Sequence, residues 1–160
     1  MQNHYTFINT LRAKLSFKQR SYREVFLITI KHDFSIGSEN HVLYFYDPLG
    51  KTILPVTTYQ NIDRFVGISS ANGYEKCLKT IAGIFKCKIT GVVIYLRLSD
   101  RYYVHLRIDG NKKQYEIDID LVDALCVAKC LNIPLYMEEH LMTTIGIKVT
   151  KDLLEKALKD

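Results

Sequence analysis

Apolar positions along this chain switch between a spacing of two and a spacing near 3.6, and the switches come in a repeated order. Arg23 to Phe34 (REVFLITIKHDF) is rich in β-branched and aromatic residues and predicts a first strand. A polar loop from Ser35 to Asn40 leads to HVLYFYD, a second strand. Asp47-Pro48-Leu49-Gly50 places Pro and Gly as a type I turn requires, and Thr52 to Val56 returns as a short third strand. Ile62, Phe65 and Val66 then share one side of a predicted helix from Tyr59 to Ile68. Cys77, Leu78, Ile81 and Ile84 or Phe85 recur at helical intervals between Tyr74 and Phe85, after a loop from Ser69 to Gly73.

The second half repeats this layout. Lys88 to Leu98 and Tyr102 to Ile108 predict strands joined through Ser99-Asp100. Asp109-Gly110 marks a turn, and Gln114 to Ile119 a further strand. A helix from about Asp120 to Asn132 follows, ended before Pro134 because the residue preceding proline avoids helical backbone. Leu135 to Met137 predicts a short strand and Val149 to Lys159 a closing helix, with Thr150 as its N-cap. Strands in blocks followed by helices define an α+β fold. Its expected form is a duplicated strands-then-helix unit, with helices packed on a mixed or antiparallel sheet. The expected organisation is a basic arm over 1–22, an α+β domain over 23–145 and a C-terminal helix over 146–160.

Composition narrows the class without naming an activity. At 160 residues, 48% hydrophobic and 24% charged, the chain has the balance of a globular domain. No apolar run approaches the roughly 20 residues of a membrane helix. The N-terminal segment lacks the apolar core of a secretory signal, so a cytoplasmic protein with no membrane partner is expected. Cys77, Cys87, Cys126 and Cys130 form no CxxC pair; Cys126 and Cys130 could share a helix face, but free cysteines are usually small buried thiols. No Gly-rich phosphate loop is present. The net charge is +5, and Arg12, Lys14, Lys18, Arg20 and Arg23 all precede the first acid, Glu24. Such an arm could neutralise phosphates, or be the solvated face of a helix whose apolar stripe is Ile8, Leu11 and Leu15.

One block stands out. Ile117-Asp118-Ile119-Asp120-Leu121-Val122-Asp123-Ala124-Leu125-Cys126-Val127-Ala128, followed by Pro134-Leu135-Tyr136-Met137-Glu138-Glu139-His140-Leu141, resembles the bifunctional nuclease (BFN) domain. That family carries V-D-A-R-P-S-D-A-I-A-L-A and then P-I-x-V-x-E-E-V-L. Val42-Leu43-Tyr44 through Leu54-Pro55-Val56 looks like its strand, turn and L-P-I element, and Leu78 through Val93 like its helix leading into a strand. The resemblance covers roughly Tyr22 to Leu141. It implies a compact duplicated α+β fold, a homo-oligomer, and a nuclease acting on DNA and RNA. The chain also departs from the pattern: Arg-Pro-Ser is Asp120-Leu121-Val122, and Thr-His-Asp is Tyr74-Glu75-Lys76. The acid after the L-P-I element is represented only by a displaced Asp63.

Phosphodiester cleavage needs charge neutralisation and an activated water, which Mg²⁺ or Mn²⁺ held by carboxylates supplies. Asp118 and Asp123 are the expected metal ligands and, with Glu138, the expected catalytic acids. Arg97 and Arg107, together with Arg12, Lys14, Lys18 and Arg20, are the expected nucleic-acid contacts. A second reading competes for the same acids: Asp120 as N-cap, with Asp123 completing a capping box, needs no metal. His105 shares a strand face with Tyr103 and Arg107, as a general base beside a phosphate contact or as part of an ordinary sheet face. The two function classes are thus a metal-assisted nuclease of little sequence specificity and a catalytically silent relative serving as an oligomeric or nucleic-acid-binding module.

Overall fold

A computed structural model describes residues 21–33, 40–63, 65, 73–98 and 101–150, with backbone only at 31–33, 73–75 and 96–98. The described residues form β1 (Tyr22–Asp33), β2 (Asn40–Asp47), β3 (Thr52–Thr58), α1 (Gly73–Ile84), β4 (Lys88–Leu98), β5 (Arg101–Asp109), β6 (Gln114–Asp118), α2 (Leu121–Leu131), β7 (Leu135–Glu138), α3 (Glu139–Ile145) and β8 (Ile147–Lys148). Of the helix expected at Tyr59–Ile68, residues 59–62 are not helical, and the chain turns helical only at Asp63. The rest of that helix apart from Phe65, nearly all of the basic arm and most of the closing helix lie outside the described residues. β8, only two residues long, has no counterpart among the expected elements.

The strands make one mixed sheet in the order β6-β5-β4-β7-β1-β2-β3-β8. β1-β2-β3 and β4-β5-β6 are antiparallel meanders, which is the expected duplication. β7 joins them, antiparallel to Tyr22–Val25 of β1 and parallel to β4. β1 is long enough to serve both sides, since its later residues, from Phe26 onward, pair with β2.

Alternation decides what each strand buries. Val92 and Ile94 of β4, Val104 and Leu106 of β5, and Met137 of β7 lie in one core cluster with Leu121, Ala124, Leu125 and Ala128 of α2. Eight of the eleven residues of α2 are buried, so this helix is covered on more than its sheet-facing side. Its outer side packs Val122 and Cys126 against Ile62 and Phe65. Cys126 and Cys130 are buried here and form no disulfide.

The ends of α2 show how local chemistry stops and starts a helix. Asp120 occupies the N-cap position, but its side chain makes no cap hydrogen bond. Gln60 Oε1 accepts the Val122 N–H instead, at 3.1 Å, so a residue just past β3 supplies the cap that the sequence assigned to Asp120. At the other end Asn132 is left-handed (φ 50°, ψ 50°), and both its N–H and that of Ile133 bond the Ala128 carbonyl. The helix therefore stops at Asn132, before the proline constraint acts.

A charged joint ties β1, the β2–β3 turn and α3 together. Arg23 donates to Asp47 Oδ2 at 2.9 Å and to Glu139, which Ser21 also contacts. Asp47 is fully buried. Burial alone would raise its carboxyl, yet the Gly50 and Leu49 N–H groups and the Arg23 guanidinium hold it below the ordinary range. Gly50 is required there, because a Cβ would sit 2.3 Å from Asp47 Oδ2 and 2.7 Å from Arg23 Nη1.

Candidate nucleic-acid interface

Register places the expected site residues on the sheet. Asp118 lies opposite His105, His105 opposite Val93, Val93 opposite Tyr136, and Tyr136 opposite Glu24. Directly paired residues share a face, so these side chains all lie on the side of the sheet away from α2. Arg107 sits on the same face between Gly91 and Glu116. Asp118, Arg107 and His105 are thus neighbours.

Asp123 and Glu138 are not part of this group. Asp123 belongs to α2, which packs on the opposite face. Glu138 shares the face but stands three strands and two residues from Asp118, roughly 15 Å by sheet spacing. Metal ligands must converge on one ion at about 2 Å each, so Asp118, Asp123 and Glu138 do not fit a single Mg²⁺ or Mn²⁺. Among the described residues, no group of three or more His, Cys, Asp or Glu could hold a metal ion.

His105 is 1% exposed, although it lies on the face away from the main core. The Tyr95 ring covers it at 5.0 Å between centroids, and Glu116 Oε1 lies 3.4 Å from its Nε2. The Tyr95 hydroxyl reaches Asp118 Oδ1 at 3.4 Å. Burial, helped by the Arg107 charge and opposed by Asp118, lowers the imidazole to about 4, so it is neutral near pH 7. Burial likewise pushes the Glu116 carboxyl up, with Asp118 adding to the shift and Arg107 opposing it. A neutral, covered imidazole cannot reach a substrate, so His105 acts here as a packed core group.

Arg107 is also engaged internally. Its guanidinium lies 5.7 Å from the Tyr22 ring centre and 5.8 Å from that of Tyr136, within cation–π range. Gly91 makes this possible, since a Cβ there would come within 2.9 Å of Tyr136 Cε2. Arg97 lies in β4 opposite Tyr102, with its side chain outside the description. Arg12, Lys14, Lys18 and Arg20 also lie outside it. Beside Arg107, the face presents Glu24, Glu116, Asp118 and Glu138, a balance that repels phosphate.

The opposite face, at the β6 edge, has the contrary character. α1 overhangs β5 and β6 and encloses a groove of about 780 Å³, lined by Leu78, Ile81, Phe85, Ile108, Tyr115 and Ile117 among others. The spacing of α1 predicted an apolar face, and the structure leaves that face largely open: Ile81 is 47% exposed, Ile84 70% and Phe85, just past the helix, 74%, while Tyr115 of β6 is 53% exposed. Lys112 and Lys113, from the turn between β5 and β6, line the groove, with Glu116 as the one acid in its lining. Exposed aromatics and cations therefore coincide here. The sequence reading missed Phe85, Lys112, Lys113 and Tyr115 as a group. The signal available was the Lys112-Lys113 pair in a tight turn, two residues before an aromatic.

No protein-family model matches this chain, and no curated protein matches it either. No described helix is long and apolar enough to cross a membrane.

Proposed function

We propose that the chain is a divergent, catalytically silent relative of the bifunctional nuclease domain that binds nucleic acid through the groove between α1 and β6. The observation that carries this reading is the meeting of Phe85 and Tyr115, both more than half exposed, with Lys112 and Lys113 at one groove. Bases stack on aromatic rings whatever their identity, and lysines contact the backbone without reading sequence. Single strands suit such a groove because their bases are free to turn toward the rings. The separation of Asp118 from Asp123 and the burial of His105 weigh against the nuclease reading of the same resemblance.

Fluorescence anisotropy with labelled single-stranded DNA and RNA, titrated across NaCl concentrations, tests this. Binding that weakens with salt is expected, together with a smaller salt dependence in Lys112→Glu/Lys113→Glu. Each lost phosphate contact removes about 0.7 from the log–log slope on single strands. Salt-insensitive binding, or none, overturns the proposal. In parallel, the same strands and supercoiled DNA are incubated with Mg²⁺ or Mn²⁺. Cleavage that Asp118→Asn abolishes would restore the nuclease reading.

A further inference from the structure

We propose that the sheet face away from α2 docks an arginine-bearing segment of a partner protein, laid across the strands from β6 to β1. The face already shows how it takes such a group. Arg107 stands on it with its guanidinium 5.7 Å from the Tyr22 ring centre and 5.8 Å from that of Tyr136. Around those rings, acids and aromatics alternate in register: Glu138 is opposite Tyr22, and Glu24 is opposite Tyr136. A planar cation beside rings and carboxylates is the arrangement that suits arginine better than lysine.

Charge on the middle of this face is not balanced from within. Glu24, Glu116, Asp118 and Glu138 meet one guanidinium, that of Arg107. Toward the ends of β5 the charges offset one another: Asp109 is opposite Lys88, and Arg101 and Asp120 share a cavity. The surplus acids gather at two poles. At one, exposed Asp118 accepts from the Tyr95 hydroxyl at 3.4 Å. Tyr95 lies 6.0 Å, centre to centre, from Tyr103, which is 44% exposed. At the other, exposed Glu24 and half-buried Glu138 flank Tyr136. Each pole thus sets a carboxylate next to an aromatic ring.

The surplus of acids repels an anionic occupant and attracts a cationic one. The poles also set the spacing of that occupant's charges. Asp118 and Glu24 lie in one row across five strands, roughly 19 Å apart, and Glu138 is roughly 15 Å from Asp118. An extended chain rises about 3.3 Å per residue, so two arginines about five residues apart reach both poles. Arg107 stands beside this path, so the residues between the two arginines are uncharged. The seat is a solvent-exposed sheet surface, which makes the affinity modest and salt-sensitive.

The test is an amide NMR titration of the full chain, nuclease-treated, with a Gly/Ser peptide carrying two arginines five residues apart. Shifts are expected at Tyr103, Asp118, Glu24 and Tyr136, and not at Phe85 or Tyr115. Replacing both arginines by lysine, or placing them side by side, should weaken binding several-fold. Asp118→Asn combined with Glu24→Gln should weaken it about five- to tenfold, since each exposed ion pair contributes a few-fold. Both side chains are exposed, so the spectrum of this variant should keep its dispersion. Shifts absent from this face, shifts confined to the groove, or a double variant that binds as wild type does overturn the proposal. Shifts on this face that appear when the protein alone is concentrated would put a second copy there and overturn it too. The groove lies on the other side of the sheet and is read by anisotropy, so either proposal can fail alone.

Discussion

Replacing His105 with phenylalanine should remove a large part of the stability that the protein loses between pH 7.5 and pH 5. The folded imidazole titrates at about 4, against 6.5 when unperturbed, and burial is the main cause. At pH 7.5 neither folded nor unfolded His105 holds the extra proton, so its contribution is nil. Below 6.5 the unfolded chain takes up a proton that the folded chain refuses, and stability falls until about pH 4. The linkage relation gives about 2 kcal/mol lost at pH 5. With a urea slope of about 2 kcal/mol per molar, the wild-type midpoint should drop by about 1 M more than that of the variant. Phenylalanine suits the site, which is 1% exposed and packed against the tilted Tyr95 ring. Urea unfolding of both proteins at the two pH values is the assay. Equal midpoint shifts in the two would refute the claim that His105 is held neutral by burial.

Three further outcomes are expected. Phe85→Ala should change stability by less than about 0.5 kcal/mol, because the ring is 74% exposed, yet weaken single-strand binding by about 1–3 kcal/mol in anisotropy titrations. Gly91→Ala should cost about 1–3 kcal/mol in urea unfolding, since the new Cβ meets the Tyr136 ring at 2.9 Å. Gln60→Ala should strip the Val122 N–H of its cap, cost about 1 kcal/mol and lower Tm by about 2–4 °C in calorimetry.

Much of the fold was legible because its strands announce themselves. REVFLITIKHDF and HVLYFYD carry β-branched and aromatic residues between turn residues, and the observed strands differ from the expected ones by one or two positions. The insertion of β7 between β4 and β1 was not legible, because pairing partners far apart in sequence leave no local periodicity. That crossing decides the site. It brings Tyr22 and Tyr136 to Arg107, and it sets Glu138 three strands from Asp118. The acids Asp118 and Asp123 look adjacent in sequence, but a strand end and the following helix present them to opposite faces. The cap at α2 was hidden for a similar reason, since Gln60 is 62 residues from Val122. For α1, periodicity gave the apolar face correctly but could not say whether anything covers it.

β7 also sets the order in which a growing chain can complete itself. Each meander is built from neighbours in sequence and can form as soon as it is made. The Tyr22–Val25 part of β1, in contrast, finds its described partner only in Leu135–Glu138, more than a hundred residues later. Closing a loop of that length costs about 4 kcal/mol of chain entropy before any contact repays it. Until β7 emerges from the ribosome, the first meander stands finished with an open strand edge, able to pair with any other extended chain. Four residues near the C-terminal side of the protein therefore govern how long its N-terminal half is exposed to misassembly.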